Sequence, residues 1–244
     1  YSQPYYFNLA PNRDLTIAPH FYTNALPLIE GEFRALTSRG AFDVHGYGTY
    51  SRQADDNISG VVGSSQNQVR GYIAANGRYQ FNPNWSATFG LRLTSDETFL
   101  RRYDISREDR LRNFVQVERI DQNSYLSIAG WVVQTLRVGD VQGAQPVALP
   151  EIDYRRRFNL GSGAGVLQLE ANTLALSRDE GQDTQRAFVS AQWTLRRITQ
   201  WGQEVVLTAY GRGDAYNTHD TAQTLVSSYS GLEGFQTRAI GAVA

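Results

Sequence analysis

Three residue types are missing from the sequence: cysteine, methionine and lysine. Without cysteine the chain can form no disulfide and no thiolate metal site, so the cysteine content does not indicate a redox compartment. All 23 basic residues are therefore arginine, and the formal net charge of −1 gives no support to a nucleic-acid partner. Codon bias in a GC-rich genome explains the absence of lysine. The alternative is a preference for the bidentate phosphate and carboxylate contacts that arginine makes.

Long apolar runs are also missing, which excludes a transmembrane helix, since a membrane-spanning helix needs about 20 apolar residues. A mean hydropathy of −0.43 agrees with this exclusion. It does not exclude a β-barrel, whose strands are apolar on one face only and average to a polar value. The chain starts without methionine or a signal peptide, so we expect it to be excised from a longer protein.

What the sequence does contain is apolar and polar residues in alternation, repeated many times. Residues 85–94, 69–81 and 187–196 each place aliphatic and aromatic side chains on one face and polar or charged side chains on the other. This period of two is the signature of β-strands. We predict ten or eleven such strands, most of them near the length of about 10 residues that crosses a bilayer obliquely.

Short turn signals alternate with longer polar stretches at residues 53–68, 95–112 and 177–185. This rhythm is typical of outer-membrane barrels, whose turns are short on one side and long on the other. We therefore predict an all-β, antiparallel transmembrane β-barrel, with residues 1–244 forming a single portion of about half a large barrel. A soluble β-sandwich remains open as the alternative, because it would also keep its charged residues on an outer surface.

No arrangement of residues predicts catalysis or a cofactor. The histidines His20, His45 and His219 are scattered and have no metal-ligand spacing. The glycine-rich residues 161–165 lack the spacing of a phosphate loop. Residues 55–57, Asp-Asp-Asn, are interpreted as an ordinary acidic loop, with a Ca²⁺ contact as the less favoured alternative. We predict that the protein is not an enzyme and holds no metal.

The start of the chain carries the most specific signal. Residues 4–23 read PYYFNLAPNRDLTIAPHFYT, and GEFRALTSRGAFDVHGYGTYSR follows from Gly31. These stretches resemble the beginning of the barrel in the family of the LPS-assembly protein LptD, also called the organic solvent tolerance protein. The segment Leu149–Tyr154 is similar to a mid-barrel segment of that family, and the resemblance extends over the whole chain.

The resemblance implies a protein of the Gram-negative outer membrane that inserts lipopolysaccharide (LPS) into the outer leaflet. In this family LPS arrives through an LptA-like periplasmic bridge and a jellyroll domain that precedes the barrel. It leaves sideways between the first and last strands, into the outer-membrane lipids, while an LptE-like lipoprotein plugs the lumen. The chain is then expected to hold about the first half of the barrel, without the jellyroll and the closing strands.

A seam that parts for a lipid has to pair weakly, and proline removes a backbone donor worth about 1 kcal/mol net. We therefore predict a lateral gate at Pro11, Asn12, Asp14 and Pro19. The alternative is that Pro11 only ends the lead-in to the barrel and Pro19 marks an exposed strand end. The predicted path for LPS sugars and phosphates follows the polar face of the early strands. Its residues are Thr16, His20, Glu32, Arg34, Asp43 and His45.

Two other functions remain open from the sequence. One is a general porin or a substrate-specific channel barrel, which would need no weak seam. The other is a secreted β-sandwich, either an adhesin or a carbohydrate-binding module, which would be soluble when folded.

Overall fold

The structure, a computed structural model, describes residues 1–23, 26–53, 66–137, 139–161, 163–223 and 232–244. It is built almost entirely of strands. The strands are β1 Tyr5–Ala10, β2 Arg13–His20, β3 Leu28–Thr37, β4 Gly40–Ser51, β5 Gln68–Gln80, β6 Trp85–Thr94, β7 Arg110–Ile120, β8 Ser124–Thr135, β9 Val147–Asn159, β10 Val166–Ser177, β11 Asp183–Ile198, β12 Glu204–His219 and β13 Gly234–Val243. The described residues also include one α-helix, α1 Phe99–Arg102, and two short 3-10 helices. Among the described residues, no helix is long and apolar enough to span a membrane.

The thirteen strands follow one another in the sheet in chain order. The pairings among β1 to β6 and among β9 to β13 are all antiparallel. The predicted all-β antiparallel class is thus confirmed.

The predicted number of ten or eleven strands is too low. The strand β1 illustrates the reason, because Tyr5, Tyr6 and Phe7 put aromatic residues on both faces and hide the alternation. The predicted polar stretch at residues 177–185 is also shorter in the structure, since β11 begins at Asp183.

Connections of two lengths alternate along the chain. The connections after the odd-numbered strands are short, at residues 11–12, 38–39, 81–84, 121–123, 160–165 and 199–203. Most of those after the even-numbered strands are longer, such as residues 52–67 and 95–109. Because the strands are antiparallel neighbours, successive connections lie at opposite ends of the strands. The predicted rhythm of short turns and long loops is confirmed, apart from the short connection at residues 178–182.

The chain divides into two compact units. The first comprises residues 1–115 and 131–145, and the second comprises residues 116–130 and 146–244.

In the first unit, polar side chains are buried while large apolar side chains are exposed. The buried polar residues include Thr49, Ser51, Arg70, Ser86 and Thr94. The exposed apolar residues include Ile29, Tyr50, Val69, Ile73 and Leu93. A water-soluble protein has the opposite distribution, so the first unit has the inside-out arrangement of a sheet built for lipid.

The second unit has the same arrangement. Ser190 and Asp214 are buried, whereas Val189 and Leu207 are exposed. Register pairs Val189 with Ala171 on β10 and with Gly213 on β12, so its exposed apolar face crosses three strands. Both units therefore confirm the alternation that the sequence predicts.

We expect a charge at the centre of this apolar face to be costly in a bilayer. The change Val189→Arg, near the middle of β11, should lower the free energy of unfolding by about 2–4 kcal/mol, as arginine does at the bilayer midplane of such sheets. Urea-induced unfolding of the intact protein in lipid vesicles measures the effect. Gln192→Arg on the polar face of the same strand is the control and should change it little. Equal losses in both variants would contradict the face assignment.

Candidate functional site on the polar face of β2 to β6

The register of β2, β3 and β4 collects the predicted path residues on one face. Thr16 lies opposite Glu32, which lies opposite His45. One step along the strands, Asp14, Arg34 and Asp43 form a second cross-strand row. His20 shares this face because it is separated from Thr16 by an even number of residues. The residues predicted from the sequence are therefore neighbours, while their role in transport stays a prediction.

This second row is held by polar contacts. The Arg34 guanidinium donates to Asp14 at 3.0 Å, and the Asn76 amide donates to Asp43 at 3.0 Å. Arg34 is half exposed, so the ion pair with Asp14 adds little stability. The ion pair places charges of opposite sign next to each other on the polar face, but it does little to hold the strands together.

Two of the predicted gate residues lie in the turn between β1 and β2. The Asn12 side chain donates to the Leu36 carbonyl at 2.6 Å, and the Leu36 amide donates to the Asn12 carbonyl at 2.8 Å. The turn is thereby tied to the end of β3. Pro11 occupies this turn and has no place in a ladder. The physical argument that Pro11 removes a ladder bond is therefore wrong for this residue.

Pro19 does remove a ladder bond, and its position shows which one. The Tyr1 amino group donates to the Phe21 carbonyl at 3.0 Å, and the Phe21 amide donates to the Tyr1 carbonyl at 2.8 Å. The next pair of residues in hydrogen-bonding positions is Gln3 and Pro19. Here only one bond forms, from the Gln3 amide to the Pro19 carbonyl at 3.3 Å. The reciprocal bond is missing because proline has no N–H. Pro19 thus weakens the pairing of β2 with the segment that leads into β1, not with β3.

The strand β1 is itself paired weakly. It has six residues, and its register with β2 shifts between Asn8 and Ala10. Pro4 immediately precedes it, and because neighbouring residues in a strand point their amides to opposite sides, the donor that Pro4 lacks faces away from β2. Short length, a bulge and proline are devices that natural sheets use at edges.

The strongest polar cluster next to these strands was missed in the sequence. Glu30 on β3 bridges two histidines, with His20 Nε2 at 2.6 Å from one carboxylate oxygen and His45 Nε2 at 2.7 Å from the other. The Tyr47 hydroxyl donates to the same carboxylate at 3.1 Å. Glu30 therefore ties β2, β3 and β4 together. Alternation identifies it, since Glu30 precedes the predicted Glu32 by two residues on the same face.

A second missed cluster surrounds Arg70 on β5, whose side chain is fully buried. It donates twice to Asp96, at 2.8 Å each, and once to Thr98 at 3.1 Å. The guanidinium also lies over the Phe99 ring, 5.7 Å from its centroid. A bidentate, charge-assisted pair of this kind is the strong form of an ion pair.

This pair anchors the segment after β6, which includes α1. Burial alone would raise the pKa of the Asp96 carboxyl, but hydrogen bonds from Arg70 and Thr98 lower that pKa below its ordinary value. The segment also supplies Phe99, Leu100 and Tyr103, which are half of the buried apolar core of the first unit. The other members are Leu28, Leu111 and Leu136. The polar face is therefore covered at one end by its own chain.

The sequence also raises the question of metal binding. In the described parts of the chain, no group of three or more acidic, histidine or cysteine residues is arranged to hold a metal ion. The acidic residues 55–57 lie outside the described residues.

An antiparallel sheet with one exposed apolar face and one hydrogen-bonded polar face has the construction of the wall of an outer-membrane β-barrel protein. A family model described as LptD, the LPS transport system D, matches residues 68–244. This match starts at the first residue of β5, so the opening motif lies before it. The chain belongs to the LptD family. This membership and the exposed apolar faces confirm the expected location in the outer membrane.

Relatives support the same family. The chain is 25% identical over 189 residues to the LPS-assembly protein LptD of Haemophilus influenzae, covering 73% of this chain and 23% of the relative. It is 31% identical over 181 residues to the LPS-assembly protein LptD of Aromatoleum aromaticum, covering 73% of this chain and 20% of the relative. A shorter match to the protein of Psychrobacter arcticus reaches 62% identity over 34 residues, or 14% of this chain and 4% of the relative. The two longer matches thus span only 20–23% of the length of these relatives.

We expect the Arg70–Asp96 pair to be a major source of stability in the first unit. Asp96→Asn leaves a buried guanidinium without its counter-charge and should lower the free energy of unfolding by about 3–5 kcal/mol. Because the pKa of Asp96 is lowered in the folded protein, its contribution is present above the unfolded pKa and is lost as the pH falls through the folded pKa. Denaturant unfolding of the intact protein in detergent, repeated at several pH values, measures both effects.

Asp109→Asn is the matched control, because Asp109 lies in the same segment and accepts from Arg101 and from Arg137 after β8, but is exposed. Its substitution should change stability little. If both variants lowered the free energy of unfolding by the same amount, the buried Arg70–Asp96 pair would contribute no more stability than an exposed ion pair.

Proposed function

We propose that the chain is part of an outer-membrane translocon that inserts LPS into the outer leaflet, with lateral release at the first strands. The observation that carries the proposal is the weakened pairing around β1, next to a continuous polar face on β2, β3 and β4. Family membership supports LPS as the substrate, since the relatives are named LPS-assembly proteins. LPS needs both features, because its sugars and phosphates are polar while its acyl chains belong in lipid.

In this proposal the polar face carries the sugars and phosphates past Thr16, Glu32 and Arg34. The half-exposed Arg34 guanidinium is suited to phosphate groups, which it binds in a bidentate manner. The acyl chains leave at the weak seam formed by the first strands. The function is conduction, and no catalytic step is assigned to any residue.

The partners expected for the family belong to the same proposal. An LptE-like lipoprotein occupies the polar side of the barrel, and an LptA-like periplasmic bridge delivers LPS through a jellyroll domain. The support for both is the family resemblance alone. A general porin is less well supported, because it gives no reason for a weak seam. A soluble sandwich is disfavoured by the exposed apolar faces of both units.

Restoring the missing donor should strengthen the seam. Pro19→Val supplies an N–H opposite Gln3, worth about 1 kcal/mol net, which should slow amide exchange in the lead-in and β1 by roughly fivefold. Hydrogen–deuterium exchange of the intact protein measures this change. Pro11→Ala is the control, because Pro11 lies in the turn and its substitution adds no ladder bond. Unchanged exchange in Pro19→Val would remove the physical basis of the gate.

Site-specific photocrosslinking in cells tests the path directly. In the intact protein, a probe at His45 on the polar face and probes at Leu15 and Phe21 on the apolar side of the first strands should give LPS adducts. A probe at Trp85, on the apolar face of β6 and away from the seam, should not. A correctly folded protein that gives no adduct at any of the first three positions would contradict the proposed route.

A further inference from the structure

The strand β9 carries three consecutive arginines, and the register turns the middle one to the apolar face. Arg155 lies opposite Glu170 on the polar face, while Arg156 lies opposite Leu169, which in turn lies opposite Ala191. Arg156 is exposed on this face. A charged side chain on the apolar face of a membrane sheet is costly unless it reaches the interface or a counter-charge.

Among the described residues, no carboxylate neutralises the charge of Arg156. Its neighbour Arg155 donates to Asp153 at 2.7 Å and lies 3.5 Å from Glu170. In the part of the chain that the structure describes, no carboxylate pairs with Arg156 or with Arg157. The Arg156 guanidinium is instead stacked over the Phe158 ring, 4.8 Å from its centroid. The side chain is thereby directed towards the turn at the end of β9.

This end of the face has the composition of a membrane interface. Phe158 lies opposite Leu167, and Leu167 lies opposite Trp193. The Trp193 indole N–H donates to the Ala164 carbonyl in the turn between β9 and β10, at 2.6 Å. Aromatic residues with their polar ends at the turn are typical of the belt at headgroup level. Arg156 therefore presents its charge where lipid headgroups lie.

Beyond Leu169 the apolar face is shallow. A groove of about 450 Å³ is lined by the small residues Ala191, Ala209, Gly211 and Gly241, with Leu167 and Trp193 beside it. Small side chains between larger ones leave room for an acyl chain next to the headgroup position.

We propose that Arg156 binds the phosphate of an anionic phospholipid whose acyl chain lies along this groove. The guanidinium fork matches a phosphate, and stacking on Phe158 holds it in place. Short turns of outer-membrane barrels face the periplasm, so the lipid belongs to the inner leaflet. The site is distinct from the proposed LPS route, which follows the polar face of β2, β3 and β4 and ends in the outer leaflet.

The test compares two neighbouring arginines that differ in the face they occupy. The intact protein, the variant Arg156→Gln and the variant Arg157→Gln are titrated with phosphatidylglycerol and with phosphatidylethanolamine, and binding is followed by native mass spectrometry. Arg157 is a matched control, since it also lacks a carboxylate partner among the described residues but lies on the polar face opposite Gln168. We expect Arg156→Gln to weaken phosphatidylglycerol binding about tenfold and Arg157→Gln to leave it unchanged.

Three results would overturn the proposal. Unchanged binding in Arg156→Gln would mean that Arg156 only extends to the interface, and an equal loss in Arg157→Gln would place the anion on the polar face. Competition by inorganic phosphate at millimolar concentration would indicate a free-anion site instead of a lipid site. If Arg156→Gln does not fold, Arg156→Lys keeps the charge but loses the bidentate fork and should give a partial loss. Full affinity in that variant would contradict the proposed geometry.

Discussion

Backbone hydrogen bonding is the constraint on which this structure depends, because hydrocarbon offers no partner to an unpaired amide or carbonyl. An antiparallel sheet meets the constraint by pairing each strand with the next, which leaves its two faces free to differ. One face can then be exposed and apolar while the other carries bonded charges such as Arg34 and Asp43. The same division explains how a membrane sheet has a mean hydropathy as low as −0.43.

Backbone hydrogen bonding is least complete at β1 and the residues that lead into it. Here the Tyr1–Phe21 pair makes two bonds and the Gln3–Pro19 pair makes one. The loss of a single bond is about 1 kcal/mol, which is small beside the stability of the remaining ladders but large for a seam that opens alone. A second proline, Pro4, directs its missing donor to the other edge of β1. Two N–H groups are therefore missing at the segment that leads into β1, that of Pro19 on the side of β2 and that of Pro4 on the side away from β2.

Alternation in the sequence predicts which residues share a face, because a period of two follows from strand geometry alone. It correctly groups Thr16, Glu32 and His45, which the register places in one cross-strand row. It fails for β1, where aromatic residues occupy both faces. It also gives no sign of the Arg70–Asp96 pair, whose partners lie 26 residues apart. That contact requires the segment after β6 to fold back onto the sheet, which depends on loop packing rather than on a local pattern.

The positions of the arginines give a physical reason why several of them could not be replaced by lysine. Arg70 binds a carboxylate in a bidentate manner and lies over Phe99, and Arg212 does the same with Asp214 and Phe188. Arg156 stacks on Phe158 and has no carboxylate partner among the described residues. A planar guanidinium can stack and donate at once, whereas an ammonium group cannot donate as a fork. Codon bias accounts for the lack of lysine, but not for guanidinium groups placed over aromatic rings on both faces of the sheet. At these positions the choice of arginine therefore has a physical basis of its own.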